Sequence, residues 1–411
     1  MGKVFIYCPA QLQTGGPEAL HSLAAKLRAA GVEAYLVYYH HNSPDYRIPP
    51  DFNPVHPAYA PLQLPYCAEA EDRPGHVVVL PEVVPEWAAQ FRQARPVIWW
   101  LSVDNYLASF TAPDGGIDPY RFGADPRVWH LAQSEYARRF LLEGLKIPAE
   151  RVLMLRDYLH RRFLAEPPAS AAHRLPFVFF NPAKGWDFTQ KLIGLEQQTR
   201  QEGREDVPFF LWLPLQGYSP EQCARLLRLG MVYIDFGGHP GMDRLPREAA
   251  VSGCCVLTWR KGSAAFAEDV PLPPPYNMSS DQAEDMPAII NLIDDCIARY
   301  DEHAAAFAPY RAWISGQEAR FTRDAARAFS YLLERPLPEP EAEAIDETRF
   351  SRLTELLTTT MEALVYAGRQ WAAGDREAGL DMLAQARTAL SAVWTASGRL
   401  QADMLAGERA E

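Results

Sequence analysis

Apolar runs and glycine-rich joints alternate along the first part of the chain. The opening VFIYC is an apolar run without polar alternation, which is typical of a strand covered on both faces. Apolar residues then recur at helical spacing, at Leu20, Leu23, Ala24 and Leu27, and Gly31 follows them. The run VEAYLVYY comes next, so the pattern predicts a β-α-β unit with a glycine-rich loop after its first strand.

The same alternation continues and then starts again. HVVVLPE, PVIWWLS, VWHLAQS and RVLMLRDYL predict further strands of a first domain. After the linker-like EPPASAAHRLP, the runs FVFF, PFFLWLP, MVYIDF and CCVLTW predict a second series. We therefore predict an α/β fold with two Rossmann-like, doubly wound domains, residues 1–165 and 166–335, and an α-helical extension, residues 336–411. Two such domains predict a ligand-binding cleft between the carboxyl ends of their strands.

Composition narrows the classes of function. The net charge of −12 argues against nucleic acid as the main partner, because phosphate backbones need a basic surface. No run reaches the roughly 20 apolar residues of a membrane span, and peripheral membrane contact stays open. The cysteines show no paired spacing, no His/Asp cluster has metal spacing and no Asp-x-Asp triplet occurs. We expect a cytoplasmic protein that needs no metal ion or other cofactor.

The loops of the second domain resemble those of retaining glycosyltransferases with the GT-B fold. FNPAKGWDFTQKLI places Asn181 and Lys184 in the loop where that family sets a basic residue against the diphosphate of a nucleotide-sugar donor. LPLQGYSPEQCARLL, with Gly217 and Tyr218 at its turn, is similar to the segment that closes around the nucleotide base. LPREAAVSGCCVLTWRKGS is similar to the segment in which a glutamate, here Glu248, holds the donor ribose.

The resemblance extends through the first domain and covers about residues 1–335. GGPEALHSLAAKLRAAG stands in the place of the family's N-terminal glycine loop, beside the transferred sugar. PEVVPEWAAQF, VIWWLSVDNY and QSEYARRFL together are similar to bacterial enzymes that build capsular or lipopolysaccharide glycans. The resemblance implies transfer of a sugar from a nucleotide-sugar donor to a saccharide or lipid-linked acceptor.

The segment FGGHPGMDRLPREAA departs from the family in one respect. Many retaining members carry two glutamates eight positions apart, and counting back from Glu248 gives Pro240, beside His239. A histidine–proline pair contacts the nucleotide phosphate in some sialyltransferase-like GT-B enzymes. His239 is therefore a candidate to bond a phosphate or the sugar, or else a turn histidine satisfied by backbone groups. The nucleotide and the stereochemical outcome stay open.

The charged candidates each have a structural alternative. Lys184 stabilises a departing diphosphate, or it is a solvated lysine at a helix start. Glu248 holds the ribose, or it lies in the first turn of a helix. Asp104 follows the strand VIWWLS and accepts the proton of an acceptor hydroxyl if the reaction inverts, or it forms a turn that caps the next helix. Glu82 is a weaker candidate of the same kind.

The glycine candidates are also open to two interpretations. Gly15 and Gly16 allow close approach of the backbone to a ligand, or they form only a tight turn. Gly262 and Ser263 offer backbone amides and a hydroxyl at another strand end, or they belong to an ordinary loop. Four residues in strand-like runs are expected in the core: Trp99, Trp100, Cys254 and Cys255.

The helical extension and two rival functions complete the expectations. YAGRQWAAGDREAGLDMLAQARTAL resembles one tetratricopeptide-like hairpin, and a single unit is not stable alone. We expect it to pair subunits in a homo-oligomer or to bind a partner. One rival function is a nucleotide-sugar epimerase-like enzyme, which would act on the donor without an acceptor. The other is a non-catalytic GT-B-like interaction protein, which would turn over no donor.

Overall fold

The computed structural model describes residues 2–43, 46–110, 125–160, 163–164, 168, 171–202, 208–278 and 285–338. The described residues form two parallel sheets with flanking helices within one compact unit, which confirms the predicted α/β fold class. The predicted helical extension lies outside them from residue 339 on, and its role stays a prediction. None of the described helices is long and apolar enough to cross a bilayer.

The first sheet has seven parallel strands in the order β3-β2-β1-β4-β5-β6-β7. Its strands and helices are β1 (Val4–Pro9), α1 (Gly15–Ala29), β2 (Ala34–Tyr39), β3 (Tyr66–Cys67), β4 (Val77–Pro81), β5 (Arg95–Trp100), α2 (Val103–Phe110), β6 (Trp129–Ala132), α3 (Glu135–Arg139) and β7 (Val152–Met154). The chain first adds strands on one side of β1 and then on the other. The carboxyl ends of β1 and β4 therefore form the topological switch point, where such sheets bind ligands.

The second sheet has five parallel strands in the order β12-β11-β10-β8-β9. Its elements are β8 (Leu175–Phe180), α4 (Trp186–Gln201), β9 (Leu211–Pro214), α5 (Pro220–Leu229), β10 (Gly230–Asp235), α6 (Arg244–Val251), β11 (Cys255–Trp259), β12 (Asn277–Met278), α7 (Met286–Ala298), α8 (Tyr300–Ala306), α9 (Ala308–Ser315) and α10 (Gln317–Leu332). Here the switch point lies between β8 and β10.

The strands that the apolar runs predict form the cores of both sheets. Trp99, Trp100, Cys254 and Cys255 are fully buried, which confirms their predicted place in the core. Burying apolar side chains on both faces of a parallel sheet explains why these runs lack polar alternation.

Helix α10 falls within the predicted range of the second domain, but its side chains pack on the first sheet. Phe321 stacks on Trp99 at 6.3 Å between ring centroids. Glu318 lies 2.7 Å from Lys26 on helix α1. The chain therefore returns to the first domain after completing the second, a feature that the linear limits 1–165 and 166–335 do not express. Those limits stay a prediction.

Candidate active site between the two sheets

The switch points of the two sheets open onto one shared cavity of about 930 Å³. Its walls come from the segments that follow β1 and β4 in the first sheet and β8 and β10 in the second. Six of the predicted donor-site residues line it: Gly15, Gly16, Asn181, Lys184, Tyr218 and Glu248. Five predicted residues do not line it: Asp104, Gly217, His239, Gly262 and Ser263.

The turn after β8 directs Lys184 into the cavity. Asn181 holds this turn, because its side-chain oxygen accepts the amide of Ala183 at 3.0 Å and its carbonyl accepts the amide of Lys184 at 3.0 Å. Gly185 has a φ of +60°, and a Cβ at this position would lie 2.4 Å from the carbonyl oxygen of Phe236. A tight turn is thus fixed between β8 and α4, with the lysine on its cavity side.

The Lys184 ammonium group is paired. Its Nζ lies 2.5 Å from Oδ2 of Asp243 and donates to the carbonyl of Gly238 at 3.3 Å. Lys184 is thus ion-paired at the start of α4 with 26% of its side chain exposed, and its role at the donor diphosphate stays a prediction. A positive charge held by one partly exposed carboxylate at a sheet switch point remains able to bind an incoming phosphate.

The segment Gly237–Gly241, which we call the second glycine loop, packs against the first domain. A Cβ on Gly241 would lie 2.2 Å from the carbonyl oxygen of Leu101 and 2.4 Å from Oε1 of Gln133. The carbonyl of Pro240 accepts the amide of Val103 at 2.9 Å. Gly241 is therefore small because neighbouring protein, rather than a ligand, comes close to its backbone.

His239 lies in this loop and is almost fully buried, with 1% of its side chain exposed. Its Nδ1 is 3.0 Å from Oδ2 of Asp243, and its Nε2 is 3.9 Å from Oδ1 of Asp235. Carboxylates, rather than the backbone groups considered above, thus flank both ring nitrogens. His239 does not reach the cavity in this conformation, so its catalytic role stays a prediction.

The charges around His239 shift several pKa values. Burial opposes the charged form of His239, but the two aspartates outweigh it and raise its pKa. Burial raises the pKa of Asp235. Burial also acts to raise the pKa of Asp243, but His239 and Lys184 outweigh it and lower that pKa. The cluster therefore favours a cationic histidine beside an ionised Asp243.

The same cluster corrects the expectation that no His/Asp group has metal spacing. One ligand atom from each of Asp235, His239 and Asp243 lies within 4.8 Å of the others, a spacing that fits a metal ion. Positions 235, 239 and 243 are spaced four residues apart. Such spacing predicts a shared face only within one helix, and this segment is not one helix, so the sequence did not indicate the cluster. Lys184 already contacts Asp243 with a positive charge, and metal independence stays a prediction.

Gly262 and Ser263 contact the backbone of the second glycine loop. The amide of Ser263 donates to the carbonyl of His239 at 2.8 Å, and its hydroxyl donates to the carbonyl of Gly241 at 2.5 Å. Gly262 has a φ of +54°, and a Cβ there would lie 2.0 Å from the carbonyl oxygen of His239. These donors are engaged within the protein, so they position the loop rather than line the site.

Glu248 reaches the cavity from the second turn of α6, so the interpretation of Glu248 as a first-turn carboxylate is wrong. Its Oε1 lies 3.0 Å from Nη2 of Arg244, and Nη1 of Arg244 pairs with Glu18 of helix α1. Burial raises the pKa of Glu248 although Arg244 opposes this shift. One guanidinium thus joins carboxylates from the two domains.

The first-domain wall carries a different kind of carboxylate. Glu82 directly follows β4, lines the cavity and is 3% exposed. Its Oε2 accepts the amide of Leu101 at 3.1 Å, and it makes no ion pair among the described residues. Burial raises its pKa to about 7. Buried carboxyls with such pKa values are suited to general acid–base chemistry near neutral pH.

Asp104 is less well placed than Glu82 for proton transfer. It lies in the first turn of α2, and its Oδ1 accepts the hydroxyl of Tyr136 at 3.0 Å. The hydrogen bond that caps this turn comes from Ser102, whose oxygen accepts the amide of Asn105 at 3.1 Å. The expected capping role of Asp104 is therefore wrong, and its carboxylate does not line the cavity.

Of the two residues predicted in the loop before α5, one lines the cavity and the other does not. Tyr218 lines the cavity with 47% of its surface exposed, which leaves its ring available for stacking. Gly217 has a φ of +77° and serves the turn itself. The predicted base-binding segment thus supplies one side chain to the site.

The charged residues at or near the cavity that were not predicted include Asp157, Asp235, Asp243, Arg244 and Arg247. Arg247 is 1% exposed, lies 2.9 Å from Oδ1 of Asp157 and donates to Gln317 at 3.0 Å. The signal for Asp243, Arg244 and Arg247 in the sequence is the charge-dense DRLPRE at the start of α6. A cation near a helix N-terminus is unfavourable on its own, so two arginines there indicate carboxylate partners.

Comparison with known proteins bears on the fold. No protein-family model matches the chain, and no curated protein matches its sequence. Sucrose-phosphate synthase from Thermosynechococcus elongatus aligns with a TM-score of 0.55, over 81% of this chain and 100% of that one, at 11% identity. A glycosyltransferase from Rickettsia africae aligns with a TM-score of 0.52, over 81% and 99%, at 11% identity.

The lipopolysaccharide outer core galactosyltransferase WaaB aligns with a TM-score of 0.50, over 80% of this chain and 100% of that one, at 10% identity. Identities this low establish likeness of fold and leave substrates undetermined. Two Rossmann-like sheets with facing switch points, together with these alignments, confirm the resemblance at the level of architecture: the chain has the GT-B fold of glycosyltransferases.

Proposed function

We propose that the chain is a glycosyltransferase that uses a nucleotide-sugar donor and a saccharide or lipid-linked acceptor. One observation carries the proposal: the cavity has a lysine on its second-domain wall and, on its first-domain wall, a buried carboxyl with a pKa of about 7. Transfer of a sugar needs a cation where the diphosphate leaves and a base where the acceptor hydroxyl attacks. The fold neighbours are consistent with this chemistry.

On the donor side, Lys184 would bind the diphosphate and Glu248 the ribose, with Tyr218 beside the base. As the bond between the anomeric carbon and the phosphate oxygen breaks, negative charge develops on the leaving diphosphate. Lys184 and the amides at the start of α4 would stabilise that charge. The mechanism therefore needs no metal ion or other cofactor.

On the acceptor side, we assign proton transfer to Glu82 in preference to Asp104, because Glu82 lines the cavity. The acceptor oxygen forms the new bond to the anomeric carbon, and its proton passes to the Glu82 carboxylate. Direct displacement of this kind inverts the anomeric configuration. Gly15 and Gly16 would let the acceptor or the sugar approach the start of α1.

The acceptor class rests on the resemblance to enzymes that build capsular or lipopolysaccharide glycans. Synthesis of such a glycan from nucleotide sugars would take place in the cytoplasm. Peripheral contact with a membrane would bring a lipid-linked acceptor to the cavity, and homo-oligomers could form through the helical extension. These points extend the proposal and are tested separately from it.

A thermal-shift screen tests the donor site. UDP, GDP, dTDP, ADP and CMP are added to the wild type, to Lys184→Ala and to Lys191→Ala, which removes an exposed lysine of α4. One nucleotide should raise the melting temperature of the wild type and Lys191→Ala but not of Lys184→Ala. Saturation at a hundred times Kd adds about 2.7 kcal/mol to the free energy of unfolding. No shift with any nucleotide at millimolar concentration would contradict the proposal.

The sugar donors of the nucleotide that binds are then assayed for release of that nucleotide. Release that requires an added saccharide or lipid-linked acceptor supports transfer. Conversion of the sugar without an acceptor would instead indicate an epimerase-like enzyme. Binding without any turnover would favour the non-catalytic interaction protein.

A further inference from the structure

Arg244 joins helices α1 and α6 at the site and has no role in the mechanism proposed above. It is the first residue of α6, and its guanidinium contacts Glu248 in the same helix and Glu18 in α1 of the first domain. The side chains of Glu18, Arg244 and Glu248 are 17%, 22% and 8% exposed, so this contact is largely shielded from water. We call these three residues the Arg244 bridge.

The Arg244 bridge carries an excess of negative charge. Two carboxylates share one guanidinium, and the nearby Asp157 is paired with Arg247. Burial opposes the charge of Arg244, but the carboxylates outweigh it and raise its pKa. The guanidinium is therefore permanently charged, while the carboxylates around it remain incompletely neutralised.

The bridge also limits the expected use of Glu248. Its Oε1 is engaged 3.0 Å from Nη2 of Arg244, whereas accepting hydrogen bonds from both hydroxyls of a ribose is best done with both carboxylate oxygens. The Nε of Arg244 is buried and has no hydrogen-bond partner among the described residues. Arg244 thus holds one oxygen of Glu248 and retains an unused donor of its own.

Arg244 and Lys184 line the same cavity. Arginine binds phosphate in a bidentate manner, and a diphosphate offers more charge than either carboxylate of the bridge. We propose that Arg244 is a phosphate-responsive gate: it holds Glu248 and Glu18 until a donor diphosphate takes its guanidinium, which frees Glu248 for the ribose. The inference rests on the proposed function, because it assumes a nucleotide donor.

The gate has two consequences. The diphosphate and the ribose bind cooperatively, because the first releases the ligand of the second. A nucleoside without phosphate finds one oxygen of Glu248 still held by Arg244, so the site favours donors that carry a diphosphate. Breaking the contact between Arg244 and Glu18 also removes an ion pair between α1 and α6. Donor binding is therefore coupled to movement of the two domains relative to each other.

Isothermal titration calorimetry tests the gate with inorganic pyrophosphate as the probe. Glu18→Gln weakens the bridge but keeps Arg244 and Glu248, and Glu33→Gln makes the same change at an exposed site of the first domain. Glu18→Gln should bind pyrophosphate about tenfold more tightly than the wild type, which corresponds to about 1.4 kcal/mol. Glu33→Gln should bind it like the wild type. Unchanged or weaker binding by Glu18→Gln would overturn the gate.

A second arm uses Arg244→Gln with UDP, GDP, ADP and dTDP, each beside its monophosphate and nucleoside. The wild-type preference for diphosphate over nucleoside should fall by about tenfold, since Glu248 is free in the variant. A preserved preference would overturn the gate. If Arg244→Gln does not fold, the pyrophosphate comparison decides alone. If no nucleotide binds the wild type, the proposed function fails and the gate fails with it, whereas failure of the gate alone leaves nucleotide binding intact.

Discussion

Two glycine-rich segments face each other across the cavity, and they use glycine in different ways. Gly15 and Gly16 start helix α1 and line the cavity; Cβ atoms there would meet side-chain atoms no closer than 3.4 Å. Gly241 in the second glycine loop is enclosed, with a backbone oxygen 2.2 Å from the position of its missing Cβ. The first segment leaves room for a ligand, whereas Gly241, which also lines the cavity, is closely packed against the first domain.

The difference shows what the glycines of the second loop achieve. Gly241 lets the loop approach the first domain, and Gly237 lets it pass beside Lys184, because a Cβ on Gly237 would lie 2.5 Å from Cβ of Lys184. Asp235, His239 and Asp243 gather beside Lys184 around this loop. The first-domain wall instead presents Glu82 without an ion pair among the described residues.

The largest expected effect comes from removing Arg247, which clamps the segment that directly follows the second glycine loop. Arg247 lies 2.9 Å from Asp157 and donates to Gln317 at 3.0 Å and to the carbonyl of Met242 at 2.5 Å. Arg247→Leu should lower the free energy of unfolding by about 3–5 kcal/mol, because it leaves a buried carboxylate without its partner. Urea denaturation measures the change. Arg225→Leu, at an exposed site, should stay within about 0.5 kcal/mol, and a similar small loss for Arg247→Leu would contradict the clamp.

The next effect concerns the first-domain wall and its dependence on pH. The pKa of Glu82 rises from 4.5 to about 7 on folding. Between these values the folded protein retains a proton that the unfolded chain releases. Glu82 therefore stabilises the fold fully below pH 4.5, and this contribution is lost as the pH rises through 7.

The total loss amounts to up to about 3 kcal/mol, since each unit of pKa corresponds to about 1.4 kcal/mol. Glu82→Gln keeps the shape of the side chain and removes the titration. The free energy of unfolding of this variant should therefore vary less between acidic and mildly alkaline pH than that of the wild type. Parallel curves for the two proteins would show that Glu82 does not titrate there.

Substituting glycine by alanine distinguishes the enclosed second glycine loop from an exposed position on a helix. Gly241→Ala should cost about 1–3 kcal/mol, because its Cβ would lie 2.2 Å from the carbonyl oxygen of Leu101. Gly194 in α4 has no atom within 4 Å of the same position. Gly194→Ala should therefore gain about 0.5–1 kcal/mol by helix propensity. Equal changes for both variants in chemical denaturation would contradict the packing of the second glycine loop.

The smallest expected effect lies at the open segment. A Cβ on Gly16 would lie 3.7 Å from Cδ1 of Leu101, an ordinary contact, and the residue is helical. Gly16→Ala should leave the free energy of unfolding unchanged or raise it by up to about 1 kcal/mol. Its transfer activity should fall if substrate approaches this backbone. A loss of stability comparable with that of Gly241→Ala would remove the contrast between the two segments.

Local patterns were sufficient to predict the strands, the fold class and the turn that carries Lys184. Apolar runs and the glycines that follow them predict local structure over a few residues. Trp99 and Cys255, which lie in such runs, are buried as expected. The partners of the glycines could not be predicted in this way, because Gly241 meets Leu101 from the other domain. A glycine in a sequence indicates that another group approaches the backbone closely, but it does not show whether that group belongs to a ligand or to the protein.

Long-range charge pairs were also beyond local patterns. Glu18 and Arg244 are 226 positions apart, and only the closure of one domain on the other brings them together. The packing of α10 on the first sheet is likewise a contact between residues far apart in the sequence. His239 illustrates the limit, since its sequence context suggested a phosphate ligand while the fold encloses it between two aspartates.

The most direct test of the donor site is a crystal structure with the nucleoside diphosphate that raises the melting temperature. We expect a phosphate oxygen within about 2.7–3.2 Å of Nζ of Lys184, a ribose hydroxyl on Glu248, and Arg244 turned from Glu248 toward the phosphate. A nucleotide bound away from the cavity, with Lys184 still on Asp243 and Arg244 still on Glu248, would contradict the assignment of the second-domain wall as the donor site.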